Sequence, residues 1–75
     1  MEADQHIDLR GLSCPLNYAK TKLKLGAMER GQILEVLIED GEPMVTVPRS
    51  LKEDGHRILK IEQIADCFKV LVRKA

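Results

Sequence analysis

Between Gln32 and Glu39 the chain reads QILEVLIE, which places Leu34, Val36 and Ile38 on one side of an extended backbone and Ile33, Glu35, Leu37 and Glu39 on the other. Successive side chains of a strand point to opposite faces, so this strand has one wholly apolar face that must be covered and one mixed face that need not be. Ahead of it, His6 to Leu9 alternates with Ile7 and Leu9 in phase and is closed by Arg10-Gly11, which reads as a shorter strand. The intervening run has helical spacing from Pro15 to about Glu29, with Pro15 suited to the first helical position and Gly31 to the stop. Strand, helix and strand in that order form a crossover unit whose right-handed sense is strongly favoured.

The second half continues the pattern. Asp40-Gly41-Glu42-Pro43 reads as a loop, and Pro48 and Gly55 bracket a short second helix at about Arg49 to Asp54. RILKIEQI and CFKVLVRK read as two strands joined at Ala65-Asp66, the last with Phe68, Val70 and Val72 in phase. The expected fold is an α/β (α+β) two-layer sandwich of order βαβαββ: a mixed four-stranded sheet with two helices on one face. The other face is open, where Glu35, Glu39, Lys69 and Arg73 are at home. Seventy-five residues make a single domain, 1–75, with room for one core. Tyr18 and Phe68 are its only aromatic residues, so Leu, Ile, Val and Met must build that core.

Charge and composition exclude several functions. Twelve basic and twelve acidic residues cancel, so no overall field draws the chain to nucleic acid or an anionic membrane, and exposed aromatics to stack on bases are lacking. No apolar run approaches the roughly 18 residues of a spanning helix. MEADQH has neither the basic start nor the apolar stretch of a signal peptide, and a cytoplasmic protein with free thiols is expected. Cys14, Cys67, His6 and His56 contain no close ligand pair of the zinc-site kind, so neither metal nor other cofactor is expected. Cys67, at the start of the last strand, reads as a small half-buried apolar residue, and the two histidines as surface residues near element ends.

Cys14 is the residue that composition does not explain. A helix start ordinarily takes Ser, Thr, Asp or Asn, whose oxygens accept the unpaired amide protons of the first turn. A neutral thiol caps poorly, whereas a thiolate is stabilised by those amides and by the positive end of the helix dipole, which also makes it reactive near neutral pH. With Pro15 lacking an N–H, the donors left are the amides of Leu16 and Asn17. The helix carries two apolar stripes, Leu16, Ala19, Leu23 and Ala27 on one side and Tyr18, Thr21, Leu25 and Met28 nearly opposite. Only one can lie on the sheet. The other is either an ordinary surface or a partner surface beginning beside Cys14 and flanked by Lys20, Lys22 and Lys24.

Asp8, Gly11-Leu12-Ser13-Cys14-Pro15, Gly31, Glu39-Asp40, Val47-Pro48 and Arg73-Lys74, in that order, resemble the TusA-like (SirA-like) family of small sulfur carriers across nearly the whole chain. The resemblance implies a βαβαββ fold and a Cys14 that carries sulfane sulfur as a persulfide, taken from a cysteine desulfurase or other sulfur-donor protein and handed to a sulfur-acceptor protein. It further implies that Tyr18, Leu25 and Met28 lie on the sheet and that Leu16 and Leu23 lie toward solvent or the margin. One position departs: Asn17 stands where the family's Cys-Pro-x-Pro has its second proline. That proline would remove an amide donor, and Asn17 restores it.

The leading reading is therefore a sulfurtransferase-type carrier rather than a turnover enzyme, with Cys14 as the persulfide residue. Pro15 and Asn17 tune the helix start, and Leu16, Lys20 and Leu23 hold the partner. The alternative is a non-catalytic protein-binding or regulatory module that uses the first-helix surface around an inert cysteine.

Overall fold

A computed structural model describes residues 3–12 and 16–75. Its elements are β1 (Gln5–Asp8), α1 (Leu16–Gly26), β2 (Ile33–Glu39), α2 (Glu42–Glu53), β3 (Arg57–Ile64) and β4 (Cys67–Arg73). The sheet order is β1-β2-β4-β3, with β1 parallel to β2 and the other two pairings antiparallel. This is the mixed four-stranded sheet of a βαβαββ two-layer sandwich.

The apolar face of β2 sets the core. Leu34, Val36 and Ile38 are fully buried, and Val36 is flanked by Ile7 of β1 and Val70 of β4. Leu25 and Met28 from the first helical segment, Val47 and Leu51 from α2, and Val72 from β4 join the same cluster. On the other face Glu35 accepts a hydrogen bond from His6 Nδ1 at 2.8 Å and lies 3.8 Å from Lys69 Nζ, which suits a face open to water.

Two helix boundaries differ from the sequence-based expectation. The first helix ends at Gly26 rather than near Glu29, because the Ala27 N–H is shared between the Leu23 and Lys24 carbonyls and that of Met28 turns to Leu25, three residues back, a tightening common at helix ends. Gly31, at a φ of 89°, instead serves the turn into β2, where its N–H donates to the Lys74 carbonyl. The second helix covers Glu42–Glu53, not Arg49 to Asp54 alone. Asp40-Gly41-Glu42-Pro43 is not one loop, since Gly41 is the N-cap and Pro43 occupies the first turn, where an amide has no helical partner to lose. Pro48 lies inside this helix and is buried, and it removes one intrahelical hydrogen bond without ending the element.

Candidate functional site

Cys14 and Pro15 lie outside the described residues, so the site is built from what surrounds them. On the N-terminal side the chain is fixed by hydrogen bonds in sequence. Leu9 donates to the Leu37 carbonyl at 2.9 Å and is itself buried. Arg10 grips Asp8 through a fork, Nε to Oδ1 at 3.0 Å and a terminal guanidinium nitrogen to Oδ2 at 2.8 Å, and its backbone N–H donates to Oδ1 at 3.0 Å. The Gly11 N–H donates to the Glu39 carboxylate, and Leu12 turns back to the Leu9 carbonyl at 3.1 Å. Gly11 sits at a φ of 83°, a region that side chains rarely adopt.

These contacts have an electrostatic consequence. The hydrogen bonds from Arg10 hold the Asp8 carboxyl at about 2, and the same pairing raises the guanidinium. Depressed in the folded chain, Asp8 contributes stability that is complete above its ordinary value of 3.8 and lost as pH falls through about 2. The exposed setting keeps the effect small. Acid unfolding of Asp8→Asn, followed by circular dichroism, is accordingly expected to be flatter than that of the parent over this window, with the parent's small advantage fully present near neutral pH and gone below about 2.

Asp8, Arg10 and Gly11 line a cleft of about 520 Å3 with Glu39, Asp40, Asp66 and Cys67. Cys67 is buried rather than half-buried, and its thiol donates to the Ile64 carbonyl at 3.3 Å. The carboxylates of Asp8 and Glu39 thus fix the loop that leads to Cys14. Sequence reasoning had these residues as part of a pattern but not the contacts, which join positions 28 residues apart in the case of Gly11 and Glu39.

On the C-terminal side α1 resolves the question of the two stripes. Thr21, Leu25 and Met28 are buried and Tyr18 is half-buried, whereas Leu16 is 51% exposed and Leu23 76% exposed, with Ala19 and Ala27 also exposed. The Tyr18 hydroxyl donates to Asp54 at the end of α2, and this hydrogen bond, with partial burial, raises the phenol's pKa. A shallow groove of about 420 Å3 runs beside Leu23, lined by His6, Ile7, Lys20, Lys24 and Ala27. Leu16, Lys20 and Leu23 therefore share one solvent-facing side of α1.

Asn17 is the residue whose setting the sequence concealed. It is fully buried; its Oδ1 accepts the Tyr18 N–H at 2.6 Å, and its Nδ2 has no hydrogen-bond partner among the described residues. Position 17 falls in phase with Thr21 and Leu25, and Thr21 Oγ1 donates to its carbonyl at 2.9 Å. The sequence reading gives Asn17 only a role at the helix start and places it in neither stripe, whereas its helical phase points inward.

A βαβαββ sandwich with Gly-Leu-x-Cys-Pro between its first strand and first helix defines a small thiol-bearing α/β protein. The sequence model described as "Sulfurtransferase TusA" matches residues 5–74, and the chain belongs to that family. A protein of Archaeoglobus fulgidus with a provisional sulfur-carrier name is 42% identical over 76 residues, covering 99% of this chain and 85% of its own. The "Sulfur carrier protein TusA" of Allochromatium vinosum is 31% identical over 72 residues, covering 96% and 95%. No helix among the described residues is long and apolar enough to cross a membrane.

Proposed function

We propose that this protein is a sulfur carrier that relays sulfane sulfur as a Cys14 persulfide. The thiolate of Cys14 attacks the terminal sulfur of a donor protein's persulfide. A new S–S bond forms at Cys14, the donor's S–S bond breaks, and the donor cysteine leaves as a thiolate. A second exchange hands the same sulfur to an acceptor protein. The donor is a cysteine desulfurase or another persulfide-bearing protein, and the exposed side of α1 carrying Leu16, Lys20 and Leu23 is where such partners dock. The chain acts in the cytoplasm as a carrier rather than as an enzyme with turnover of its own.

The observation that carries this reading is the family match across residues 5–74, which takes in a cysteine two positions ahead of the first residue of α1. The amides of Leu16 and Asn17 are the donors the sequence leaves for a thiolate at that position. Pro15 has none, and its fixed φ suits a helix start. The regulatory-module reading requires the same cysteine to be inert. Alkylation of the full chain across pH separates the two. Cys14 is expected to titrate below the free-thiol value of about 8.5, whereas slow reaction with a midpoint at that value would favour the module.

A further inference from the structure

At the end of the sheet away from Asp8 and Glu39, the loop ahead of β2, the start of β3 and the end of β4 enclose a cleft of about 280 Å3. Arg30, Arg57, Arg73 and Lys74 line it with Gly31, Gly55 and Ala75, and no Asp or Glu side chain does. Ion pairs among the described residues join His6 to Glu35, Arg10 to Asp8, Lys60 to Glu62 and Lys69 to Glu35. None of the four cations of the cleft is in that set. Arg57 and Arg73 moreover stand directly opposite each other in the β3–β4 ladder, an arrangement in which like charges destabilise a sheet. Among the described residues no side-chain carboxylate pairs with this group, in a chain that has twelve acidic residues for its twelve basic ones. Packing gives no reason for it, since Arg30, Arg57 and Arg73 are exposed.

We propose that this cleft binds a small phosphate-bearing ligand, with the guanidiniums of Arg30, Arg57 and Arg73 as the groups that grip it. A guanidinium presents donors in a planar fork that matches two oxygens of a phosphate, and several forks around one concavity suit a compact polyanion better than a flat acidic surface. The Lys74 ammonium, which donates to the Met28 carbonyl at 2.6 Å, adds a charge fixed at the wall. Backbone amides contribute little here, because those of Gly31 and Gly55 are already donated to the carbonyls of Lys74 and Lys52. Recognition through side-chain charge makes binding weaken as salt is raised. The site is separate from Cys14 and stands whether or not that residue carries sulfur.

Titration of the isotopically labelled full chain with pyrophosphate at low salt, followed by amide chemical shifts, tests the proposal. Saturable shifts are expected at Gly31, Gly55, Arg57 and Lys74, with none at Lys20 and Lys24. The double variant Arg57→Gln/Arg73→Gln should bind about tenfold more weakly or worse, the loss of charge-assisted hydrogen bonds. It should unfold at no lower a temperature than the parent, because a like-charge pair has been removed. Arg30→Gln, on a separate segment, should weaken binding without touching the ladder. Absence of saturation, shifts of equal size at Lys20 and Lys24, binding to polyglutamate but not to pyrophosphate, or unchanged affinity in both variants would each overturn the assignment.

Discussion

Leu25→Ala is expected to destabilise the protein by about 2–5 kcal/mol, while Leu23→Ala, two positions away on the same helix, should change its stability by no more than about 0.5 kcal/mol. Leu25 is 1% exposed within the cluster of Leu34, Val36, Ile38, Val47 and Leu51, so truncation leaves a cavity that β2 and α2 cannot both close. Leu23 is in open solvent beside Lys20 and Lys24. A single domain of this size has a total stability of only about 4–11 kcal/mol, so the first substitution removes a large share of it. Urea unfolding of the two variants measures the contrast directly. Equal losses would mean that the outward stripe is held against the molecule, and the surface proposed for partners would then not be free.

That contrast was half legible in the residues. The periodicity shows two stripes and cannot rank them, because Leu16, Ala19, Leu23 and Ala27 are as apolar as Tyr18, Thr21, Leu25 and Met28; the family resemblance supplied the ranking that the structure bears out. Order and type of all six elements were readable, since strands with unbroken in-phase Val, Ile and Leu leave few alternatives. The start of α2 was not, because Asp-Gly-Glu-Pro is turn chemistry, and the same Gly and Pro also make an N-cap and a first helical turn. Pro48 reads as the bracket at a helix start, whereas tertiary burial of Val47, Pro48 and Leu51 keeps the helix going through it. The Asp8–Arg10 fork and the Glu39 contact to Gly11 are fixed by three-dimensional placement, which no local pattern encodes.

Asn17 is where fold and chemistry meet, and two substitutions separate them. Asn17→Leu keeps the backbone N–H and similar volume but removes a buried Nδ2 without a partner among the described residues. An unsatisfied buried donor costs about 1–3 kcal/mol, so the variant is expected to be more stable than the parent by roughly 1 kcal/mol once the Oδ1 bond to Tyr18 is forgone. Asn17→Pro, the residue that the sequence resemblance implies at this position, also removes the orphan amide and fits the first turn, where the lost N–H has no helical partner. It further deletes a donor proposed to face the Cys14 sulfur. The Cys14 pKa is therefore expected to rise by up to about one unit in Asn17→Pro and to stay put in Asn17→Leu, read from the pH dependence of alkylation. A gain in stability with no movement of the thiol in either variant would assign position 17 to packing alone.

The most direct test of sulfur carriage is mass spectrometry of the full chain after incubation with a cysteine desulfurase and cysteine. The account predicts one extra sulfur atom on the peptide containing Cys14, lost on treatment with a thiol reductant and absent from Cys14→Ser, with the peptide containing Cys67 unmodified. Failure of Cys14 to gain sulfur from a desulfurase that is active toward another carrier, or accumulation of the sulfur on Cys67 instead, would contradict it.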